Sequence, residues 1–278
     1  MTTPHFNYRR DLIFYGAAAL TAFTSPSLGL CLTPSIKPKR VAAITTTYFK
    51  GSHADVILGK ILEGWEQTGG PGPALELASL YVEQIREDDE SVGICRKHNV
   101  SMFTTIADTI TCGTDHIPVD GILCIAEHGN YPWNERGQHL YPRRRFFREI
   151  TETLEHHGQR LPVFNDKHLG PEWEDEKWMY DRAKQMRLPF MAGSSLPVSF
   201  RNPDTRIPMN SDIQAAVGIG YDGLDIYASH ALDSLQSVIE KRRGAKTGVK
   251  WVQFFEGPEV ERVLQSGLID RELYDAAL

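Results

Sequence analysis

Apolar positions along this chain follow two rhythms. Short unbroken runs alternate with longer stretches in which apolar residues recur every third or fourth position, the spacing of one helix face. Val41-Ala42-Ala43-Ile44 reads as a buried strand. Thr45 to Ser52 is polar and reads as a turn, and Ala54, Ile57, Leu58, Ile61 and Leu62 then mark one face of a helix with Ser52 at its N-cap. Further strands are expected at Leu75–Val82, Val100–Phe103, Val119–Ala126, Leu161–Phe164 and Pro189–Ala192. Helices are expected at Asp88–His98, Thr105–Cys112, Pro142–His157 and Trp173–Arg187. The run Val119–Ala126 is apolar throughout, as a strand covered on both faces must be. Repeated strand–helix alternation predicts an α/β fold, a Rossmann-like doubly wound parallel sheet spanning residues 38–195.

From Leu196 the rhythm changes. Pro197, Pro203 and Pro208 interrupt an irregular segment. Beyond it the pattern predicts helix at Ile213–Gly220, strand at Leu224–Tyr227, helix at His230–Arg243, strand at Val249–Phe255 and two short helices in Pro258–Leu278. Residues 196–278 therefore read as a reduced C-terminal α+β part, a substrate domain packed on the sheet.

The first 37 residues read differently. Arg9-Arg10 precedes the uncharged run Leu12–Phe23, followed by Pro26 and small residues. That run is short for a membrane span and fits a cleaved twin-arginine-type secretory signal, which implies a periplasmic protein. The competing reading is an N-terminal amphipathic helix that packs on a cytoplasmic protein. The remaining composition is that of an ordinary globular chain, with 278 residues and a net charge of −6. Without a basic excess, a nucleic-acid surface is excluded as an expectation. The four cysteines lack metal-binding spacing, and Cys124 reads as an inert core residue.

In a parallel sheet, ligands gather at the carboxyl ends of the strands. Here those ends carry Thr45-Thr46-Thr47, Glu83, Glu127-His128, Asp166-Lys167-His168 and Ser194-Ser195, with His230 later in the chain. An acidic residue at position 83 suits hydrogen bonding to a ribose. Glu127, His128, Asp166, His168 and His230 make a candidate divalent-metal set, against the plainer reading of solvated loop ends. Lys167 in a cleft would be a candidate acid or base, and on a surface it would simply pair with Asp166 or Glu127. His53 either faces a phosphate or caps the turn. Arg143, Arg144, Arg145 and Arg148 read as a helix surface paired with Glu149 and Glu152, with an anion site as the alternative.

Three stretches carry a likeness. His53-Ala54 after the first turn, Val163-Phe164-Asn165-Asp166-Lys167-His168-Leu169, and His230-Ala231-Leu232-Asp233 ahead of an apolar helix resemble motifs of the Gfo/Idh/MocA family of nicotinamide-dependent sugar and polyol oxidoreductases. The resemblance implies NAD or NADP as cofactor, bound around Thr45, Thr47, His53 and Glu83. It implies a small carbohydrate substrate, with Lys167, His230 and Asp233 as the catalytic groups. The chain departs from the family where its turn glycines belong, at Thr45, Thr47 and Lys50, and where Glu127-His128 replaces the usual Thr-Pro. Three readings follow: an oxidoreductase on a sugar or polyol; a metal-dependent carbohydrate lyase, isomerase or hydrolase without the dinucleotide; and a non-catalytic ligand-binding protein. Oligomerisation is compatible with all three.

Overall fold

A computed structural model describes residues 37–198, 201–221 and 223–278 of the chain. The expected signal segment, including Arg9-Arg10, lies outside the described residues. The described chain runs β1 (Lys39–Thr45), α1 (His53–Glu63), β2 (Leu75–Val82), α2 (Ser91–His98), β3 (Ser101–Phe103), α3 (Ile106–Thr111), β4 (Gly121–Ile125), α4 (Arg143–His156), β5 (Val163–Asp166), α5 (Trp173–Met186), β6 (Phe190–Gly193), a 3-10 turn at Leu196–Val198, α6 (Leu224–Ile239), α7 (Pro258–Gln265) and α8 (Arg271–Ala277).

All six strands join one parallel sheet in the order β3-β2-β1-β4-β5-β6. This is the doubly wound Rossmann-like arrangement that the apolar rhythm predicts. The order reverses between β1 and β4, and the crevice at that switch point is where such sheets take ligands. Two cores sandwich the sheet. On one face Ile44, Ile122 and Val163 pack against Phe146, Phe147, Ile150 and Leu154 of α4 and Met179 of α5. On the other, Val41, Ala43 and Leu80 pack under Ala54 and Leu58 of α1, with Tyr48 and Cys95 beside them. Cys124 is fully buried, and burial pushes its thiol up to about 12, which keeps it the unreactive core residue the sequence suggests.

Helix starts follow local chemistry. Ser52 Oγ accepts the Asp55 N–H at the start of α1, and Thr105 Oγ1 accepts the Asp108 N–H at the start of α3. The C-terminal part departs from the expected pattern. Leu224–Tyr227 is the opening of α6 and not a strand, so Asp225 and His230 share one helix. Tyr227, Ala231, Leu235 and Val238, at helical spacing along α6, line one pocket together with the Ala216–Tyr221 segment. Ile213–Gly220 has no regular structure, and Val249–Phe255 is not a strand. Val249, Trp251, Val252 and Phe254 of that segment are 80%, 62%, 81% and 64% exposed, because a strand needs a paired edge and none is docked beside it. The two short terminal helices are present as α7 and α8. Among the described residues no helix is long and apolar enough to cross a membrane.

Candidate functional site

The carboxyl ends of β4, β5 and β6 converge on α6. β5 ends at Asp166, and the next residue, Lys167, has a left-handed backbone (φ 69°). His128, three residues past β4, is left-handed too (φ 68°). Non-glycine residues avoid this region, so these turns are held in place by their contacts. Lys167 N–H donates to the Gly193 carbonyl at 3.1 Å, which ties the end of β5 to the end of β6. Gly193 itself has φ 142°, and a side chain there would sit 3.3 Å from Asp233 Oδ2. Its absence lets Asp233 approach and accept the Ser194 N–H at 2.8 Å.

Lys167 is almost wholly buried (4% exposed). Its Nζ donates to His230 Nε2 at 2.6 Å and lies 3.9 Å from Glu127 Oε1. Because Nε2 accepts from the lysine, Nδ1 carries the imidazole proton and donates it to Ser194 Oγ at 2.5 Å. Ser194 Oγ also accepts the Leu196 N–H. Burial lowers the His230 pKa below the ordinary histidine value, with Lys167 and His53 adding to the effect. His230 is thus kept neutral within a Lys167–His230–Ser194 hydrogen-bond chain.

A second pair faces the same space. His53, the first residue of α1, holds Asp166 Oδ2 at 2.6 Å through Nδ1. The Asp166 side chain is 6% exposed, whereas that of His53 is 30% exposed. His53 and His230 both line a pocket of about 530 Å³, whose other wall is Ala216–Tyr221 and the apolar face of α6, including Ala231, Leu235 and Val238. Beneath it is a hollow of about 10 Å³, bounded by Glu127, Tyr141, Arg143, Lys167 and His168. Arg143, buried to 2%, pairs with Glu127 Oε2 at 2.5 Å. Three buried polar atoms nearby, His128 Nε2, Arg143 Nε and Asn165 Oδ1, have no hydrogen-bond partner among the described residues. Native interiors rarely leave such atoms unmatched, so their clustering marks a polar locus where a ligand or water completes the bonding.

The metal expectation is not met by this arrangement. Glu127 is engaged by Arg143, Asp166 by His53, and His168 Nδ1 by the Gly170 carbonyl at 3.0 Å. Burial lowers the pKa of His128 and of His168, with the His53 charge contributing at the first and the Arg143 charge at the second. Among the described residues no three His, Cys, Asp or Glu side chains are placed to hold a metal ion. Strand-end position brought these residues into one neighbourhood, but each carboxylate took a basic partner of its own.

The turn after β1 also differs from what a dinucleotide needs. A pyrophosphate is cradled by free backbone N–H groups at the helix start, with glycines letting the backbone come close. Here Ser52 Oγ accepts the Phe49 and Asp55 N–H groups, and Asp55 Oδ2 accepts the Gly51 N–H at 2.8 Å and pairs with Lys50. Thr45 Oγ1 donates to the Tyr81 carbonyl and Thr46 Oγ1 to the Glu127 carbonyl. Thr47 and Tyr48 are buried, and neither lines the pocket. A carboxylate of the chain's own thus stands where the phosphate would, and these residues do not fit a pyrophosphate at this turn. Glu83, expected on a ribose, receives the Tyr131 hydroxyl at 2.9 Å and the Arg145 guanidinium instead.

Sequence reasoning missed the role of Arg143, which it grouped with its exposed neighbours. Arg145 and Arg148 do pair with Glu149 and Glu152 as expected. It also passed over Tyr141, Tyr131 and His139. Tyr141 packs at a tilt against His139, with the Arg143 guanidinium over its ring, and burial beside Glu127 pushes its hydroxyl up to about 12. The His139 N–H donates to Asp225 Oδ2 at 3.0 Å, joining the segment after β4 to the start of α6. A run of aromatic and basic residues in a loop, from Tyr131 to Arg143, was the available signal.

No protein-family model matches the chain, and no curated protein matches it. Solved structures that match at low identity include oxidoreductases and a transcriptional regulator, Gal80p. A scyllo-inositol dehydrogenase from Lactobacillus casei is 13% identical, with a TM-score of 0.39, over 60% of this chain and 38% of that one. A Gfo/Idh/MocA family oxidoreductase from Vibrio cholerae is 18% identical, with a TM-score of 0.36, over 57% and 39%. A biliverdin reductase from Synechocystis, solved with biliverdin and NADP+, is 13% identical, with a TM-score of 0.35, over 56% and 38%. The chain spans less than two fifths of the length of each.

Proposed function

We propose that this chain is an acid–base enzyme acting at a hydroxyl-bearing carbon of a small sugar or polyol, with Lys167 and His230 as the proton-moving pair. The observation that carries the reading is the 2.6 Å contact between Lys167 Nζ and His230 Nε2 at the edge of the pocket. A buried lysine and a neutral imidazole in direct contact form a relay that passes a proton without building up net charge. Ser194 holds the far nitrogen, and Asp233 fixes the Ser194 backbone, so Asp233 orients the relay and does not touch substrate. The pocket is open enough for one monosaccharide-sized molecule, with polar groups on one side and an apolar wall on the other.

The dehydrogenase reading rests on the same Lys167 and His230, which match the motifs of the Gfo/Idh/MocA resemblance. It requires a hydride acceptor held somewhere other than the β1–α1 turn. One experiment separates the two. A panel of aldoses, ketoses and polyols is followed by NMR with and without NAD+ and NADP+, using the wild-type chain and Lys167→Met. Lys167-dependent conversion without nucleotide supports the acid–base enzyme. Conversion only with nucleotide moves the assignment to the dehydrogenase. No conversion of any member under either condition removes the proposed substrate class.

A further inference from the structure

The pocket carries a second, separately built acid–base group that the Lys167–His230 pair does not use. His53 is the first residue of α1, and its Nδ1 lies 2.6 Å from Asp166 Oδ2. The buried carboxylate accepts only a proton, so it fixes Nδ1 as the N–H and leaves Nε2 as a lone pair. Among the described residues Nε2 has no hydrogen-bond partner, and the ring lines the pocket. Ser52, which starts the helix, and the edge of the His128 ring, 5.2 Å away, hold the imidazole in place. His230 lines the same pocket, so the two imidazoles border one space.

We propose that His53, oriented by Asp166, is a catalytic base facing the Lys167–His230–Ser194 chain, and that the site runs a redox-neutral proton shift on an α-hydroxycarbonyl sugar. This rests on the acid–base reading above. His53 Nε2 takes the proton from the carbon that bears the hydroxyl. The C–H electron pair becomes the C=C bond of an enediol, while the carbonyl oxygen takes a proton from the relay. In the reverse sense, the original hydroxyl returns its proton to the relay and becomes the new carbonyl, and the neighbouring carbon takes the proton held on His53. Every proton and electron pair is returned, so no oxidant or reductant is consumed. The Gly51 N–H after β1 is taken by Asp55, so that turn offers a pyrophosphate one donor fewer, which agrees with such chemistry.

The test uses the full chain in D2O with a chelator and no nucleotide. Aldoses and ketoses serve as probes, and deuterium at the carbon next to the carbonyl is read by NMR and mass spectrometry. Wild-type protein incorporates deuterium, and His53→Gln lowers the rate by about 100-fold or more, as loss of a general base does. Asp166→Asn lowers it by a smaller factor. Imidazole in the buffer restores part of the rate to His53→Ala, which a structural role for the ring would not allow. Each variant is checked for folding by its melting curve. Deuterium uptake unchanged in His53→Gln overturns the role of His53. Lys167-dependent conversion with no carbon-bound deuterium from solvent, and with a substrate C–D label kept on its original carbon, overturns the proton shift and leaves the broader acid–base reading standing. Failure of every sugar to react overturns both.

Discussion

The turns after β1 and after β5 occupy equivalent places at the top of one sheet, and they solve opposite problems. After β1, backbone N–H groups are taken by the chain's own side chains. Ser52 caps α1, the Asp55 carboxylate takes the Gly51 N–H, and Thr45 and Thr46 bond to neighbouring carbonyls. After β5, the backbone is left-handed at Lys167, an ammonium is buried, and Asn165 Oδ1 has no partner among the described residues. The first turn engages its N–H groups with its own side chains and leaves the Thr47 and Tyr48 hydroxyls without a partner among the described residues, whereas the second buries a lysine against His230 at the edge of the pocket. In a doubly wound sheet the usual division is the reverse, with the ligand's phosphates on the first turn. The difference teaches that a doubly wound scaffold can engage the donors of its first turn with its own side chains, so that fold alone does not name the ligand.

The largest test of this contrast is catalytic. Lys167→Met removes the buried end of the relay and should lower kcat by about 10²- to 10⁴-fold on whichever sugar proves active. Thr45→Gly with Thr47→Gly, made in the turn that should not matter, should change kcat by less than about 3-fold and should not create NADH binding in a fluorescence titration. Micromolar NADH binding by that double variant would break the comparison.

Next in size is stability. Glu127 and Arg143 are 7% and 2% exposed and lie 2.5 Å apart. Glu127→Gln leaves the guanidinium buried without its counter-charge and should lower unfolding free energy by about 3 kcal/mol, read from urea denaturation. Ser52→Ala should cost about 1 kcal/mol through the lost N-cap. A reversal of that order would mean that the β1 turn, and not the β4–β5 end, is the constrained part of the molecule.

The sheet was legible because its signals are local. Four successive apolar residues at Val41–Ile44, or the run at Val119–Ala126, need a covered strand whatever surrounds them. Ser52 announced the start of α1 for the same reason. The C-terminal part was not legible, since Leu224–Tyr227 is a short apolar run whose period does not separate helix from strand. The exposed Val249–Phe255 has the composition of a strand but no edge to pair with. At the site, position on a strand end picked out Asp166 and Lys167, the opening of the first helix picked out His53, and His230 was found although the strand expected before it is the start of α6. The pairing was hidden: His53 and Asp166 come from different βα units, Glu127 and Arg143 stand at the two ends of the long β4–α4 connection, and only folding decides which base each carboxylate meets. Arg143 was lost among three adjacent arginines because one helical step separates the buried face of α4 from the exposed one.

The smallest expected effect concerns pH, and it reports on the second region alone. His128, His168 and His230 all have pKa values lowered by burial, with nearby positive charge adding to the effect. In each case the folded state prefers the neutral ring, so the unfolded chain binds protons more readily. Their contribution to stability is therefore complete above the unfolded histidine value of about 6.5 and is lost as pH falls through the lower folded values. The melting temperature should drop between pH 7.5 and 5.5 in a scanning calorimeter. His230→Gln should flatten part of that slope while keeping a hydrogen-bonding side chain beside Lys167 and Ser194. Ser52 Oγ accepts the Phe49 and Asp55 N–H groups and bonds to none of these three rings among the described residues, so Ser52→Ala should lower the whole curve without changing its slope. If Ser52→Ala changed the slope and His230→Gln did not, the titrating groups would have to be sought outside the β4–β5–α6 cluster.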